Sequence, residues 1–291
     1  MKKKIIITGI NGFLGSHLAK HLKKYFEVVG LEYSIDNLYR IKNDGFMVYE
    51  SNESTLETIF KTQNIYAVVH VATIYRRQGE PILNLLNTNI NLPVRLLELA
   101  SKYQVKMFLN TDSFFNNPSH TYSYLSDYTL SKKHSLEWIK LIASSSDCKV
   151  INMKVFHMFG ENDAQEKFIP FVIEKIKNNE ISIELTSGEQ TRDFIYVKDV
   201  VTAFEKVLFN FDTLEKFQEF ELGSGKSHTI KQLVKIIKKA ANSKTVLKFG
   251  SLPYREGEIM ESSVSNFELN KMGWKSNYTL EDAIKKIINR E

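Results

Sequence analysis

Short apolar runs alternate with amphipathic stretches through the first half of the chain. Runs rich in β-branched residues at 4–9 (KIIITG), 27–32 (EVVGLE), 46–50 (FMVYE), 67–72 (AVVHVA), 106–111 (KMFLNT) and 149–156 (KVINMKVF) predict strands. Between them, apolar residues recur at helical spacing over 13–25, 54–63, 80–103 and 127–145. A strand with one wet face would alternate apolar and polar residues, whereas continuous apolar strands between helices imply a parallel sheet covered on both faces. The fold class predicted is therefore α/β, a doubly wound parallel (Rossmann) sheet whose ligands bind at the carboxyl ends of its strands.

The rhythm changes after Phe156. Loops lengthen around GENDAQEKF and LTSGEQTRDF, and the strand and helix pieces shorten. Residues 1–155 are predicted to form a dinucleotide-binding domain and residues 156–291 mainly a smaller α/β substrate domain. The helical pattern at 197–210, within about 194–212, is expected to return to the first domain.

Composition narrows the classes. The chain has 291 residues, 43% hydrophobic and 25% charged, with a net charge of +5. That is an ordinary globular composition with enough apolar residues for a large core. The lysines are spread along helices, which reads as solvated helix faces and argues against a nucleic-acid partner. One cysteine, Cys148, can build neither a disulfide framework nor a cysteine metal site, and it fits a reducing, cytoplasmic setting. The seven histidines are scattered without ligand spacing, so no metal site is expected. No apolar run is long enough to span a bilayer.

ITGINGFLG places Gly9, Gly12 and Gly15 directly after the first strand and at the head of a helix. Three glycines alone would be a weak signal; a strand before and a helix after make it a strong one. The loop Gly9, Asn11, Gly12, Phe13, Leu14 and Gly15 would cradle a pyrophosphate on free helical N–H groups. Glu32 ends the second strand about twenty residues past Gly12, where an acidic side chain holds the adenosine ribose. A carboxylate there repels the extra phosphate of NADP and so favours NAD. Arg40, near Ser34, could instead accept that phosphate, which leaves NAD(P)H open.

YTLSK gives Tyr128 and Lys132 at i and i+4, on one helix face. A neighbouring ammonium favours the phenolate and is expected to lower the tyrosine pKa, so that Tyr128 can exchange a proton with an alcohol or ketone.

Taken together, TGINGFLGSH, VVHVAT, NTNINLPVRLLELA, YTLSK, RDFIYVKDV and YREGE resemble the extended short-chain dehydrogenase/reductases acting on nucleotide sugars, the NAD-dependent epimerase/dehydratase family. The matches run in order from residue 4 to about 261. The resemblance implies that His70, Val71, Ala72 and Thr73 lie beside the cofactor and that Asn89 supports the strand ends. It also implies that Thr111 hydrogen-bonds the sugar oxygen while Tyr128 transfers the proton and Lys132 assists. Alone, Thr111 would read as a strand-end turn residue. Arg192 and Arg255 offer planar forks suited to a diphosphate. Residue by residue, ion pairs with Asp193, Glu256 or Glu258 are the simpler reading, and the resemblance favours a substrate clamp. His157 stands where many relatives carry an asparagine beside the sugar; it either touches substrate or packs behind it.

The reaction turns on NTDSFFN, residues 110–116. The dehydratases of the resembling family carry Thr-Asp-Glu here, and the glutamate serves C5. Ser113 cannot be that carboxylate base, so dehydration is disfavoured, and Asp112 reads as a turn-shaping side chain. The string together with YREGEIM is most similar to the bacterial CDP-abequose and paratose synthases and related sugar 4-reductases. The expected activity is NAD(P)H-dependent C4 reduction of a 4-keto-deoxy nucleotide-diphosphate sugar, in deoxysugar biosynthesis for bacterial surface polysaccharide. An NAD-dependent 4-epimerase uses the same residues and stays open, as does a non-catalytic dinucleotide sensor, although such proteins usually lose Tyr or Lys of the pair. The resemblance also implies a homodimer in which helices 80–103 and 127–145 meet their copies. Leu83, Leu86, Leu136 and Ile139 would serve that contact or packing on the sheet equally well.

Overall fold

A computed structural model describes residues 2–76, 79–116 and 125–289. Its first element, β1 (Lys4–Thr8), runs into α1 (Phe13–Leu22), followed by β2 (Glu27–Glu32), β3 (Met47–Glu50), α2 (Glu53–Thr62) and β4 (Ile65–His70). Then come α3 (Ile82–Leu86), a π turn (Asn87–Asn91), α4 (Leu92–Lys102), β5 (Met107–Ser113), α5 (Ser126–Ser145) and β6 (Lys149–Val155). The later elements are β7 (His157–Phe159), α6 (Phe168–Lys177), β8 (Ser182–Leu185), β9 (Thr191–Tyr196), α7 (Val197–Phe209) and β10 (Phe217–Leu222). The chain finishes with β11 (Ser227–Thr229), α8 (Ile230–Ala240), β12 (Val246–Phe249), α9 (Phe267–Lys271) and α10 (Leu280–Asn289).

The main sheet has seven strands in the order β10-β6-β5-β4-β1-β2-β3. The pairs β1–β2, β1–β4, β2–β3 and β4–β5 are parallel. Ile5, Ile6 and Ile7 are all fully buried, as a strand covered on both faces requires. On one face Ile6, Val29 and Val68 pack with Leu56, Leu96 and Ile139 from α2, α4 and α5. The α/β doubly wound expectation is met. The strand order reverses between β1 and β4, and such a switch point opens a crevice at the carboxyl ends.

Two element boundaries differ from expectation for local reasons. The helix predicted over 80–103 begins at Ile82 and widens into the π turn before Pro93. Proline has no N–H and its ring presses on the carbonyl four residues back, so the extra residue in that turn makes room for it. The helix predicted over 13–25 stops at Leu22, where Tyr25 N and Phe26 N both donate to the Leu22 carbonyl at 2.9 Å.

The described chain divides into two compact units. One takes Leu125–Lys154, Phe204–Phe220 and the chain preceding them; the other takes Val155–Ala203 and the chain from Glu221 onward. In the second, β9 lies between β7, parallel to it, and β11, antiparallel to it. A second small sheet pairs β8 with β12. Helix α8 opens on a capping box, Thr229 with Gln232, and buries Leu233, Val234 and Ile237.

Candidate active site

The glycine loop is built by close backbone approach. Gly9 has φ +61°, a conformation that L side chains rarely adopt, and a Cβ there would sit 2.9 Å from Ala72 Cα. A Cβ on Gly15 would meet the Gly9 carbonyl oxygen at 2.0 Å, an impossible contact. Helix α1 starts beyond Gly12 with no side-chain cap and no acidic residue in its first turn. Its first N–H groups are thus uncapped by side chains, and its positive end faces the crevice. This cradle fits the pyrophosphate of a dinucleotide.

Glu32, at the end of β2, accepts a hydrogen bond from the Asn11 backbone N–H. Burial raises its carboxyl pKa, opposed by the N–H groups of Asn11 and Tyr33 and by Arg40. Asn11 also latches the following loop: its Oδ1 accepts from Arg40 N at 2.9 Å and its Nδ2 donates to Asn37 O at 2.9 Å. One arm of the Arg40 guanidinium donates to the Asn11 carbonyl at 3.2 Å. Phe13 packs edge-on against His17, and Leu14 is buried.

At the end of β4, Thr8 Oγ1 accepts from Val71 N and Ala72 N, each at 3.1 Å, and lies 2.9 Å from His70 Nδ1. With both N–H groups donating to it, the threonine hydroxyl gives its own proton to Nδ1. His70 is then the Nε2–H tautomer. Burial, followed by the Lys132 charge, pushes its pKa down to about 3, so it is neutral. Asn89, presented by the π turn, binds Ile74 N and Ile74 O at 2.9 Å each, takes a weaker bond from Thr73 Oγ1, and donates to Ser131 Oγ at 2.9 Å.

Tyr128 and Lys132 lie on the first turns of α5. Tyr128 is 3% exposed and Lys132 is 5% exposed. Lys132 Nζ donates to the Thr111 main-chain oxygen at 2.8 Å. Burial brings its pKa down to about 8, against the Asp112 charge, which raises it. Contrary to the expected lowering, the Tyr128 phenol lies well above its ordinary value. Burial is the main cause, followed by the second phenol, Tyr75; a hydrogen bond with the Ser113 hydroxyl acts the other way. Thr111 Oγ1 is buried and has no hydrogen-bond partner among the described residues.

Asp112 is buried and fully engaged. It accepts from Ser113 N at 2.8 Å, Asn152 Nδ2 at 3.0 Å and Asn116 Nδ2 at 3.1 Å. Asn152 in turn accepts from Asn110 Nδ2 at 2.7 Å. Sequence reasoning missed Tyr75, whose ring stacks on Tyr128 with centroids 4.5 Å apart. No spacing signal links residues that meet only through the tertiary fold, although Tyr75 follows the carboxyl end of β4, where a Rossmann crevice opens.

In the second unit, Arg192 on β9 is buried, pairs with Glu258 and donates to Thr191 O at 2.8 Å. Glu258 N is hydrogen-bonded to Arg255 O at 3.2 Å, and the Arg255 side chain is exposed. Asp193 is not the partner of Arg192; it accepts from Ser224 N at 2.6 Å and Gly225 N at 2.8 Å. His157 stands beside Phe194, its ring 6.0 Å away, and burial and then Arg192 push its pKa down to about 3. Among the described residues no cluster of metal ligands occurs and no helix is long and apolar enough to cross a membrane.

Residues 5–223 match the model of the NAD dependent epimerase/dehydratase family. The chain is 36% identical over 292 residues to the CDP-abequose synthase of Salmonella muenchen, covering 99% of this chain and 98% of that protein. It is 26% identical over 314 residues to the dTDP-4-dehydro-6-deoxyglucose reductase of Escherichia coli, covering 99% and 97%. Among solved structures, a UDP-glucose 4-epimerase from Thermotoga maritima superposes with a TM-score of 0.85 at 22% identity, over 98% of this chain and 97% of that one. At that identity the likeness shows the fold.

Proposed function

The chain belongs to the NAD dependent epimerase/dehydratase family, and from that premise we propose that it reduces the C4 ketone of a deoxy nucleoside-diphosphate sugar. The observation that carries this choice is the state of residues 111–113. A 4,6-dehydratase needs a free carboxylate for C5. Here Asp112 accepts three hydrogen bonds that hold its strand end, and the next residue is Ser113. The groups needed to protonate a C4 oxygen are all present. The E. coli relative, whose name is that of a reductase of a 4-dehydro-6-deoxy sugar nucleotide, supports the same direction.

Gly9, Gly12 and Gly15 would hold the dinucleotide diphosphate and Glu32 its ribose. Glu32 and the engagement of Arg40 on Asn11 favour NAD. A reduced nicotinamide dinucleotide held there would supply a hydride equivalent to C4. Tyr128 donates the proton to the C4 oxygen, and its high pKa keeps that proton in place until negative charge develops on the oxygen. Thr111 Oγ1, which has no hydrogen-bond partner among the described residues, donates a hydrogen bond to the same oxygen. Lys132 supplies the positive charge that offsets the phenolate left behind. Arg255, exposed, and Arg192, once released from Glu258, would hold the substrate diphosphate, and His157 would remain a neutral neighbour.

The test is the oxidation of NADH or NADPH by purified protein against a panel of 4-keto-6-deoxy sugar nucleotides. Stoichiometric oxidation with at least one member supports the proposal. No oxidation with any member, together with interconversion of C4 epimers, replaces it with the epimerase reading.

A further inference from the structure

In the second unit, one short turn carries an anion inward and a cation outward. Residues 255–258 are closed by the Glu258 N–H, which donates to the Arg255 carbonyl at 3.2 Å, and Gly257 takes the left-handed conformation the turn needs (φ +68°). Arg255, Glu256 and Gly257 are exposed, whereas the Glu258 side chain is only 13% exposed and pairs with the buried Arg192. The turn is anchored on both sides. Before it, the Tyr254 hydroxyl accepts from Glu189 N at 3.1 Å. After it, Ile259 is buried and the Met260 carbonyl accepts from Thr191 N, next to Arg192, at 2.8 Å. A buried guanidinium needs an anion beside it. In the resting protein Glu258 is that anion, and its carboxylate offers a planar fork the paired oxygens that a phosphate also offers. The two partners are not equally fixed. Arg192 stands on β9, which is held between β7 and β11, while Glu258 ends an exposed turn. Glu258 is thus the partner that can leave.

We propose that Glu258 is an internal stand-in for the substrate diphosphate: it occupies Arg192 in the resting protein, and an arriving diphosphate displaces it as the 255–258 turn swings and brings Arg255 in. The inference rests on the reading of Arg192 and Arg255 as the clamp for a nucleoside-diphosphate sugar. With Glu258 docked, the Arg192 charge is already neutralised. With Glu258 released to solvent and Arg255 turned inward, two guanidiniums face the two phosphates. The anchors at Tyr254 and Met260 keep the rest of the segment in place, so the exchange is confined to the turn and pivots at Gly257. A diphosphate then binds with an apparent affinity reduced by the fraction of molecules in which Glu258 is undocked. Glu258 therefore sets how strongly an anion must interact before it is admitted to Arg192.

Glu258→Gln keeps the shape of the side chain and removes its charge. Binding of CDP, UDP, dTDP, GDP and inorganic pyrophosphate is measured by titration calorimetry, without turnover. The variant is expected to bind the nucleoside diphosphate that the wild type binds about tenfold more tightly. A misfolded protein cannot give a gain of that kind, and Glu258→Ala takes its place if the amide variant does not fold. In an Arg192→Gln background the same change is expected to give no gain. Unchanged binding after loss of the Glu258 charge overturns the stand-in. Weaker binding also overturns it, and makes Glu258 a part of the nucleotide site itself. A gain that survives in Arg192→Gln overturns the exchange at Arg192. If the wild type binds none of the nucleoside diphosphates, the reading of the site as a nucleotide clamp has failed, and pyrophosphate decides alone: tighter binding in Glu258→Gln supports the stand-in, and any other result overturns it. If affinity rises in Glu258→Gln while the protein reduces no sugar nucleotide, the stand-in holds and the reductase reading fails.

Discussion

Lys132 Nζ donates to the main-chain oxygen of Thr111 at 2.8 Å, which ties the ammonium to the end of β5 and not to the Tyr128 hydroxyl. The ammonium lies 6.0 Å from the centroid of the Tyr128 ring. Burial brings the Lys132 pKa down to about 8, so the ammonium is lost as pH rises through that value. Turnover is expected to decline above about pH 8. Lys132→Met should show no such alkaline limb, on a plateau lowered by about 100-fold. The kcat–pH profiles of the two proteins check this. Stability carries the opposite sign. The unfolded chain holds this proton up to about pH 10.4, so the Lys132 contribution should rise between about 8 and that value.

Thr111 Oγ1 is buried without a partner among the described residues, so a methyl group in its place removes no hydrogen bond made among them. Thr111→Val is expected to leave the melting temperature unchanged or raise it, while kcat/KM falls by about 10- to 100-fold through loss of a hydrogen bond to the reacting oxygen. A variant that loses stability and activity in parallel would assign Thr111 to the fold.

Asp112 is expected to behave as a structural acid. In Asp112→Ala, Ser113 N and the amides of Asn152 and Asn116 lose their acceptor, at about 1–3 kcal/mol for each buried group left unsatisfied. Asp112→Asn should not rescue it, because an amide N–H2 would face other donors. Thermal denaturation of the two variants measures this.

The dimer interface is expected on α5. Leu130, Trp138 and Leu141 are 53%, 52% and 61% exposed, and their spacing of 8 and 3 residues sets them along one helical stripe. Leu136 and Ile139 are buried, and Ile139 is part of the sheet's own core, so those two serve the sheet. Sedimentation equilibrium should give a dimer for the wild type and a monomer with unchanged circular dichroism for Trp138→Glu. A monomeric wild type would remove the interface.

The parallel sheet and the glycine loop were legible because their signals are local: β-branched runs, and glycines placed between a strand and a helix. Tyr128 and Lys132 were legible because i and i+4 face one another on any helix. What escaped is what only distant parts of the chain bring together. Tyr75 meets Tyr128 across a sequence separation of 53, and Arg192 meets Glu258 across one of 66. The π turn before Pro93 reflects a steric conflict within a pattern that otherwise reads as one helix. The upward position of the Tyr128 phenol follows from burial, and the surroundings of a side chain are set by tertiary packing.

The most direct test follows the hydrogen. Purified protein is given a reduced nicotinamide dinucleotide deuterated at its transferable position, together with a 4-keto-6-deoxy sugar nucleotide, and the product is read by NMR. The account predicts deuterium at sugar C4, one equivalent per cofactor oxidised, in a single C4 epimer. An absence of deuterium at C4, with both epimers formed and no net cofactor oxidation, would contradict it.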